Sequence, residues 1–276
     1  MRLPFTQVDV FTAEPFLGNP VAVVLDADGL DTDRMQAIAR WTNLSETTFV
    51  AAPTDPAADY AVRIFTPAAE LPFAGHPTLG TCHAWLAAGG RPAAPDVVIQ
   101  QCGVGPIRIR RGDGRLAFAA PPLVRSGPVD DDLLDELVAT LGVTVSDVVD
   151  AAWVDNGPGW VAVLLADVDT VLALRPRPSA RDIGVVALCP PGSAAAIEVR
   201  GFFPVDGTLV EDPVTGSLNA SLAQWLLGSG RLRAPYVARQ GTVLGRRGVV
   251  HVDRDDAGDI WVGGDTVTCV DGEIAL

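Results

Sequence analysis

The sequence predicts an α+β fold of two similar halves, each with a sheet of strands around one central helix. Two observations lead to this prediction. First, Val62–Pro67 and Val199–Pro204 share Val, Arg, Phe and Pro in the same register. Second, each segment leads through a loop into a similar helix opening, Gly75–Thr81 in one case and Glu211–Ser217 in the other, with Pro, Gly and a hydroxyl residue in the same order. Similar segments that recur in the same order and at nearly the same spacing indicate an internal repeat.

The first half reads as four strands, a short helix and a main helix. The strands are rich in β-branched residues and bounded by turn residues; they are Val8–Phe11, Val21–Leu25, Thr48–Ala51 and Tyr60–Phe65. Met35, Ile38 and Ala39 have helical spacing, which predicts a short helix over Asp33–Trp41. The main helix is expected over Pro77–Ala88, ended by Gly89-Gly90. It has almost no charge, so we expect it to be buried on all sides.

The second half repeats this plan after a proline-rich linker at Pro121–Pro128. A surface helix is expected at Leu133–Leu141, and Val161–Leu165 echoes the strand Val21–Leu25. The main helix is expected over Pro213–Leu227. Three closing strands follow; they are Val249–Val252, Ile260–Val262 and Thr266–Val270. The expected division is therefore 1–120 for the first half, completed by a C-terminal strand at 262–276, and 121–261 for the second.

Composition and charge exclude several classes of function. A net charge of −14 argues against nucleic-acid binding, which needs clustered Lys and Arg. No run of 18 or more apolar residues predicts a membrane span, and the N-terminus has no export signal, so a cytoplasmic location is expected. The four cysteines, Cys82, Cys102, Cys189 and Cys269, form no close pair. We therefore expect no metal site or redox motif, but free thiols.

Two of the predicted helix openings carry a polar residue directly before proline, His76 and Asp212. Asp212 is the expected N-cap of its helix, and a purely structural cap is the plainer interpretation. His76 is a poorer cap, and a buried histidine satisfied by its surroundings is the alternative to a functional one. If the two halves face each other, both helix N-termini would present N–H groups to one cleft, where they suit a carboxylate.

The third candidate is Glu46, which lies between Ser45 and Thr47 at the entry to a strand. A partly buried carboxyl group there suits proton transfer near neutral pH. From the local pattern alone, an exposed and inert side chain fits equally well. Glu70 is a second carboxylate, for which a loop or structural role is an equal interpretation.

At this point the residues resemble the PhzF-like phenazine-biosynthesis isomerase family. The segments that carry the resemblance span nearly the whole chain; they are Val8–Phe11, Gly18–Val23, Asn43–Thr47, Arg63–Pro67, Glu70–Thr78, Glu211–Ser217, and more weakly Gln240-Gly241 with Gly245-Arg246. The Gly-His-Pro-Thr and Asp-Pro-Val-Thr-Gly-Ser blocks are the most specific of them.

The resemblance implies a diaminopimelate-epimerase-like fold, with mostly antiparallel sheets curled around the central helices and a site between the halves. It implies a cofactor-independent isomerase in which Glu46 transfers a proton between carbons of a small, anionic substrate. His76 and Asp212 would flank that substrate. Hydrogen bonds to it are expected from four further residues; they are Ser45, Gly75, Gly216 and Ser217. The resemblance also implies a homodimer.

Two other functions stay open at this stage. One is a racemase or epimerase of an amino acid or related acid. Epimerase relatives use two cysteines, but this chain has His76 and Asp212 in the corresponding regions, and Cys82 lies farther along its helix. The other is a catalytically silent ligand-binding protein, against which the presence of Glu46, His76 and Asp212 counts.

Overall fold

The structure is a computed structural model that describes residues 1–112 and 114–276. Contacts divide the chain into two compact units. The first unit comprises residues 1–119 and 263–276, and the second comprises residues 120–262. Within the described residues, no helix has the length and apolar character needed to cross a membrane.

The strands are numbered in chain order. They are β1 Arg2–Val10, β2 Asn19–Val24, β3 Glu46–Ala51, β4 Tyr60–Phe65, β5 Glu70–Leu71, β6 Val97–Cys102, β7 Gly105–Gly112, β8 Arg115–Ala119, β9 Arg125–Pro128, β10 Val148–Asp155, β11 Val161–Leu165, β12 Ile183–Leu188, β13 Ile197–Val205, β14 Thr208–Asp212, β15 Tyr236–Gln240, β16 Gly248–Arg254, β17 Ile260–Gly264 and β18 Thr266–Ala275.

The helices are numbered in the same way. They are α1 Thr32–Thr42, α2 Gly75–Ala87, α3 Asp131–Leu141, α4 Val168–Ala173 and α5 Gly216–Gly228.

The two units repeat one pairing pattern. In the first unit, β1 pairs antiparallel with β2, β2 parallel with β3, β3 antiparallel with β4, and β4 antiparallel with β5 and parallel with β6. In the second unit, β10 to β15 pair in the same order and with the same directions. Each unit closes with an antiparallel pair, β6 with β7 and β15 with β16. The predicted α+β class with two similar, mostly antiparallel halves is confirmed.

Each unit wraps its sheet around one helix of 13 residues, α2 or α5. In the first unit, α2 packs against strands on several sides, including β1, β2, β6 and β18, and most of its residues are buried. The contact is close at Gly80, where an added Cβ would lie 2.3 Å from Cγ1 of Val21. A side chain of any size at Gly80 would force helix and sheet apart.

Both central helices begin at positions other than those expected. The first begins at Gly75, two residues before Pro77, because proline is tolerated in a first turn whose N–H groups have no helical partners. The second begins at Gly216, after Pro213. Asp212 is therefore not an N-cap: it is the last residue of β14, and Thr215 occupies the cap position.

The expected linker is also partly wrong. Arg125–Pro128, within the segment predicted as linker, forms β9 and pairs antiparallel with β10. All four residues of β9 are exposed, so the strand lacks the apolar alternation by which a sequence reveals one. Backbone hydrogen bonds to β10 hold β9 in place, and the pattern of side chains in the sequence does not reveal such bonds.

Candidate active site

The carboxyl group of Glu46 and the imidazole of His76 lie side by side in the first unit. Glu46 is the first residue of β3, which runs parallel to β2 with Glu46 opposite Val21. His76 is the second residue of α2. Oε2 of Glu46 lies 3.3 Å from Nε2 of His76, and the two side chains are 15% and 5% exposed. A titratable pair at the entry of a strand and the first turn of a buried helix is thus shielded from most solvent.

His76 is neutral at physiological pH. Burial lowers the pKa of His76 to about 3, and the hydrogen bond that its ring makes to the Pro20 carbonyl opposes this shift only in part. The contact with Glu46 is therefore between a carboxyl group and an uncharged imidazole, although its distance alone would suit an ion pair. A neutral imidazole can donate from one ring nitrogen and accept at the other.

The start of β2 holds His76 from the other side. Nδ1 of His76 lies 3.3 Å from Nδ2 of Asn19, a fully buried residue at the start of β2. The N–H of Gly18 donates to the buried carboxylate of Asp9 at 3.0 Å. An added Cβ at Gly18 would lie 2.2 Å from the Val10 carbonyl oxygen, so only glycine fits there. Their signal in the sequence is the Gly18-Asn19-Pro20 run, to which no site role was assigned.

In the second unit, Asp212 is buried at the end of β14. The hydroxyl of Thr215 donates to its Oδ2 at 2.6 Å. This distance is at the short end of the range for an O–H···O hydrogen bond. Gln240, the last residue of β15, donates to the carbonyl of Asp212 at 3.2 Å. Asp212 is thus held by hydrogen bonds at both its side chain and its backbone.

Ser217, in the first turn of α5, is held by the segment that joins β10 to β11. The indole N–H of Trp160 donates to Oγ of Ser217 at 3.1 Å, and the side-chain amide of Asn156 donates to its carbonyl at 3.0 Å. Because an indole N–H only donates, the Ser217 hydroxyl accepts this bond and keeps its own hydrogen for another acceptor. The sequence carried no local signal for Trp160 or Asn156.

The N-termini of the two central helices differ from those of α1, α3 and α4. An aspartate side chain caps each of α1, α3 and α4, and each has a further acidic residue in its first turn. The cap residues of α2 and α5 are Ala74 and Thr215; neither makes a side-chain capping bond, and neither helix has an acidic residue in its first turn. In an acidic protein, these two helix ends keep the partial positive charge that favours an anion.

The predicted site residues therefore fall into two groups. Ser45, Glu46, Gly75 and His76 lie in the first unit, where Glu46 and His76 are in contact. Asp212, Gly216 and Ser217 lie in the second, within and just before the first turn of α5. His76 and Ser217 are each the second residue of a central helix. The internal repeat in the sequence suggested that His76 and Asp212 are equivalent. This is wrong, because His76 lies within its helix whereas Asp212 lies before its helix.

The remaining candidates have other surroundings. Glu70 forms a bidentate ion pair with Arg63, with both N–O distances at 2.7 Å. This pairing gives the Glu70 carboxylate a structural role. Cys82 is buried in the middle of α2, and burial raises its pKa to about 12. It stays a thiol at neutral pH and is a poor proton acceptor. Across residues 1–112 and 114–276, no three His, Cys, Asp or Glu side chains are grouped as metal ligands.

Comparison with known proteins gives matches over the whole chain. A family model described as phenazine biosynthesis-like protein matches residues 8–272. The trans-2,3-dihydro-3-hydroxyanthranilate isomerase of Pseudomonas fluorescens is 34% identical and covers 98% of both chains. A Schizosaccharomyces pombe protein named antisense-enhancing sequence 1 is 34% identical over 98% of this chain and 97% of its own. The crystal structure of a PhzF-family phenazine biosynthesis protein from Enterococcus faecalis has a TM-score of 0.81 at 27% identity, with 100% of both chains covered.

Proposed function

This chain belongs to the phenazine biosynthesis-like family and is an isomerase, and we propose that it moves a proton between two carbons of a small, carboxylate-bearing substrate. In this proposal Glu46 is the general acid and base, and no cofactor takes part. The single observation that carries it is the contact between Glu46 and the neutral His76, both largely shielded from water.

The proposed step needs a base at the carbon that loses its proton and a partner for the charge that develops. Glu46 takes the proton, and the electron pair of the broken C–H bond enters the conjugated system of the substrate. The protonated Glu46 then returns the proton to a second carbon, where those electrons form the new C–H bond. Formula and charge are unchanged, as an isomerisation requires. A placed acid/base group of this kind accelerates a reaction by roughly 10²–10⁴-fold.

His76 sets the charge beside Glu46 in this step. Its ring is held between Asn19 and Glu46 and stays uncharged. A protonated imidazole at that distance would stabilise the carboxylate and make it a weaker base. A neutral imidazole has one N–H, which the hydrogen bond to the Pro20 carbonyl uses, so the ring contacts Glu46 without a positive charge that would stabilise its carboxylate.

We further propose that each uncapped helix N-terminus binds an anionic group such as a carboxylate. In the first unit, N–H groups near Gly75 would do so, and Ser45 would add a hydrogen bond. In the second unit, N–H groups near Gly216 would do so, Ser217 would add a hydrogen bond, and Asp212 would orient a donor group of a substrate. Among the helices of residues 1–112 and 114–276, α2 and α5 lack a side-chain cap and an acidic first-turn residue whereas α1, α3 and α4 have both, and this difference supports the proposal.

The test is solvent exchange and turnover in D₂O with Glu46→Gln. The first compound to try is trans-2,3-dihydro-3-hydroxyanthranilate, the compound named for the Pseudomonas fluorescens relative. We expect wild type to incorporate deuterium or convert the compound, and Glu46→Gln to lose both by at least about 100-fold. Glu70→Gln is the control, because its carboxylate pairs with Arg63 in the same unit. Full activity of Glu46→Gln would remove Glu46 as the base. Chiral chromatography of the product separates isomerisation from epimerisation.

Two expectations from the sequence remain proposals. One is a homodimer, which light scattering of the purified chain would detect as twice the 28.8 kDa monomer mass. The other is a cytoplasmic location, which cell fractionation would test.

A further inference from the structure

Gln240 is a completely buried polar residue whose signal in the sequence is the weak Gln240-Gly241 motif. It is the last residue of β15, and its side chain reaches the residues around the start of α5. Four hydrogen bonds surround its amide. Oε1 accepts from the N–H of Thr215 at 3.0 Å and from Nδ2 of Asn219 at 2.8 Å. Nε2 donates to the carbonyl of Asp212 at 3.2 Å and to Oγ1 of Thr215 at 2.9 Å.

The direction of these bonds follows from backbone groups. The Thr215 N–H can only donate, so the Gln240 atom facing it is the amide oxygen. The Asp212 carbonyl can only accept, so the atom facing it is the amide nitrogen. Two independent backbone groups thus give the same orientation of the amide. Oγ1 of Thr215 therefore accepts a hydrogen bond from Gln240, and its single hydrogen goes to Oδ2 of Asp212, at 2.6 Å.

The loop that follows Asp212 is also packed tightly against three neighbouring glycines. An added Cβ at Gly201 would lie 2.9 Å from Oγ1 of Thr215. One at Gly241 would lie 2.6 Å from the Pro213 carbonyl oxygen, and one at Gly248 would lie 2.3 Å from Cγ2 of Val214. The loop therefore has little room to move away from Gln240.

We propose that Gln240 is a positioning residue that acts through Thr215 to hold the carboxylate of Asp212 as a hydrogen-bond acceptor in one orientation. The inference rests on the proposed function, in which Asp212 orients a donor group of the substrate. A carboxylate oxygen that already accepts a hydroxyl hydrogen is fixed in orientation, and a fixed acceptor oxygen is what a donor group on the substrate would need. Neither Gln240 nor Thr215 has to touch the substrate for this.

The first unit contains a matched arrangement with a different end point. Gln100 in β6 is also completely buried, and its Nε2 donates to Oγ1 of Thr78 at 2.9 Å. The Thr78 hydroxyl then donates to the backbone carbonyl of Ala74 at 2.9 Å. Each glutamine thus donates a hydrogen bond to a threonine near the start of a central helix. The threonine hydroxyl then donates to the carboxylate of Asp212 in the second unit but to a backbone carbonyl in the first.

Two substitutions of Thr215 separate positioning from packing. Thr215→Val keeps the shape and removes the hydroxyl; Thr215→Ser keeps the hydroxyl and removes the methyl group. The measurement is kcat and KM with whichever substrate the wild type converts, normalised to the folded fraction at the assay temperature. We expect kcat/KM of Thr215→Val to fall roughly 10- to 100-fold, the range for one hydrogen bond to a charged group. Thr215→Ser should stay within about threefold of wild type. Equal values for the two variants would overturn the proposal.

The glutamine pair supplies the second comparison. Gln240→Glu has nearly the same shape, but its new carboxylate oxygen would accept the Thr215 hydroxyl hydrogen and draw it away from Asp212. We expect its kcat/KM per folded molecule to fall as in Thr215→Val. Gln100→Glu introduces the same charge at the same burial and should lose mainly stability. If both glutamate variants lose kcat/KM equally, a general effect of buried charge explains the result, and the positioning role is wrong.

The outcomes also separate this inference from the proposed function. A loss in Thr215→Val together with full activity of Glu46→Gln would leave the positioning role standing and remove Glu46 as the base. Inactive Glu46→Gln with unchanged Thr215→Val would do the reverse.

Discussion

The buried, neutral His76 should make the protein sensitive to acid, and replacing it with glutamine should remove part of that sensitivity. A histidine in an unfolded chain has a pKa near 6.5, whereas burial lowers the pKa of folded His76 to about 3. Between these values the unfolded chain holds a proton that the folded chain lacks. The free energy of unfolding therefore falls as the pH falls from about 6.5 toward 3, and this contribution is complete above 6.5.

The size of the effect follows from the same two values. Each pH unit inside the window costs about 1.4 kcal/mol, so at pH 4.5 the wild type should have lost about 2.7 kcal/mol through His76 alone. The assay is urea unfolding of wild type and His76→Gln at pH 7 and pH 4.5. From pH 7 to pH 4.5, the free energy of unfolding of the wild type should fall by about 2.7 kcal/mol more than that of His76→Gln.

Two controls make the result specific. The same pair of proteins in a Glu46→Gln background removes the titration of the neighbouring carboxyl group. His83→Gln should shift the difference with the same sign but by less, because His83 is only partly buried, and burial lowers its pKa to a smaller extent. A wild-type minus His76→Gln difference that is the same at both pH values would refute the reasoning.

Two further predictions concern the second unit. Arg200→Met should lower the free energy of unfolding by about 3–5 kcal/mol, because it leaves Glu211 buried without its cation. Arg63→Met, at the corresponding but half-exposed pair, should cost about 1 kcal/mol or less, and equal losses in denaturant titrations would contradict this. Burial and then the Asp155 charge raise the pKa of Asp182 to about 6. Its ionisation therefore favours the unfolded chain as the pH rises, and Asp182→Asn should raise the melting temperature at pH 8 but not at pH 4.

The repeated architecture was readable in the sequence because the same physical demands recur in both halves. An arginine and an aromatic ring in β4 recur in β13, and the structure gives them the same surroundings. Arg63 pairs with Glu70 and lies over the ring of Phe65; Arg200 pairs with Glu211 and lies over that of Phe202. The apolar, uncharged sequences of α2 and α5 likewise predicted that these two helices are buried.

The starts predicted for α2 and α5 were wrong because proline fits more than one position near a helix N-terminus. Pro77 lies inside the first turn of α2, whereas Pro213 lies before α5 in the loop after β14. Both placements satisfy a residue without an N–H. Only the hydrogen bonds of Gln240, which is 27 positions beyond Pro213 in the chain, show which placement the second half adopts.

By itself, the sequence determined the α+β class, the duplication, the family and the residue types available for proton transfer, because periodicity and motifs are properties of neighbouring residues. The tertiary structure decided the protonation of His76, the contact between His76 and Glu46, and the bonds that hold Asp212. Each of these depends on desolvation or on partners far away in the chain, and neither quantity exists until the chain has folded.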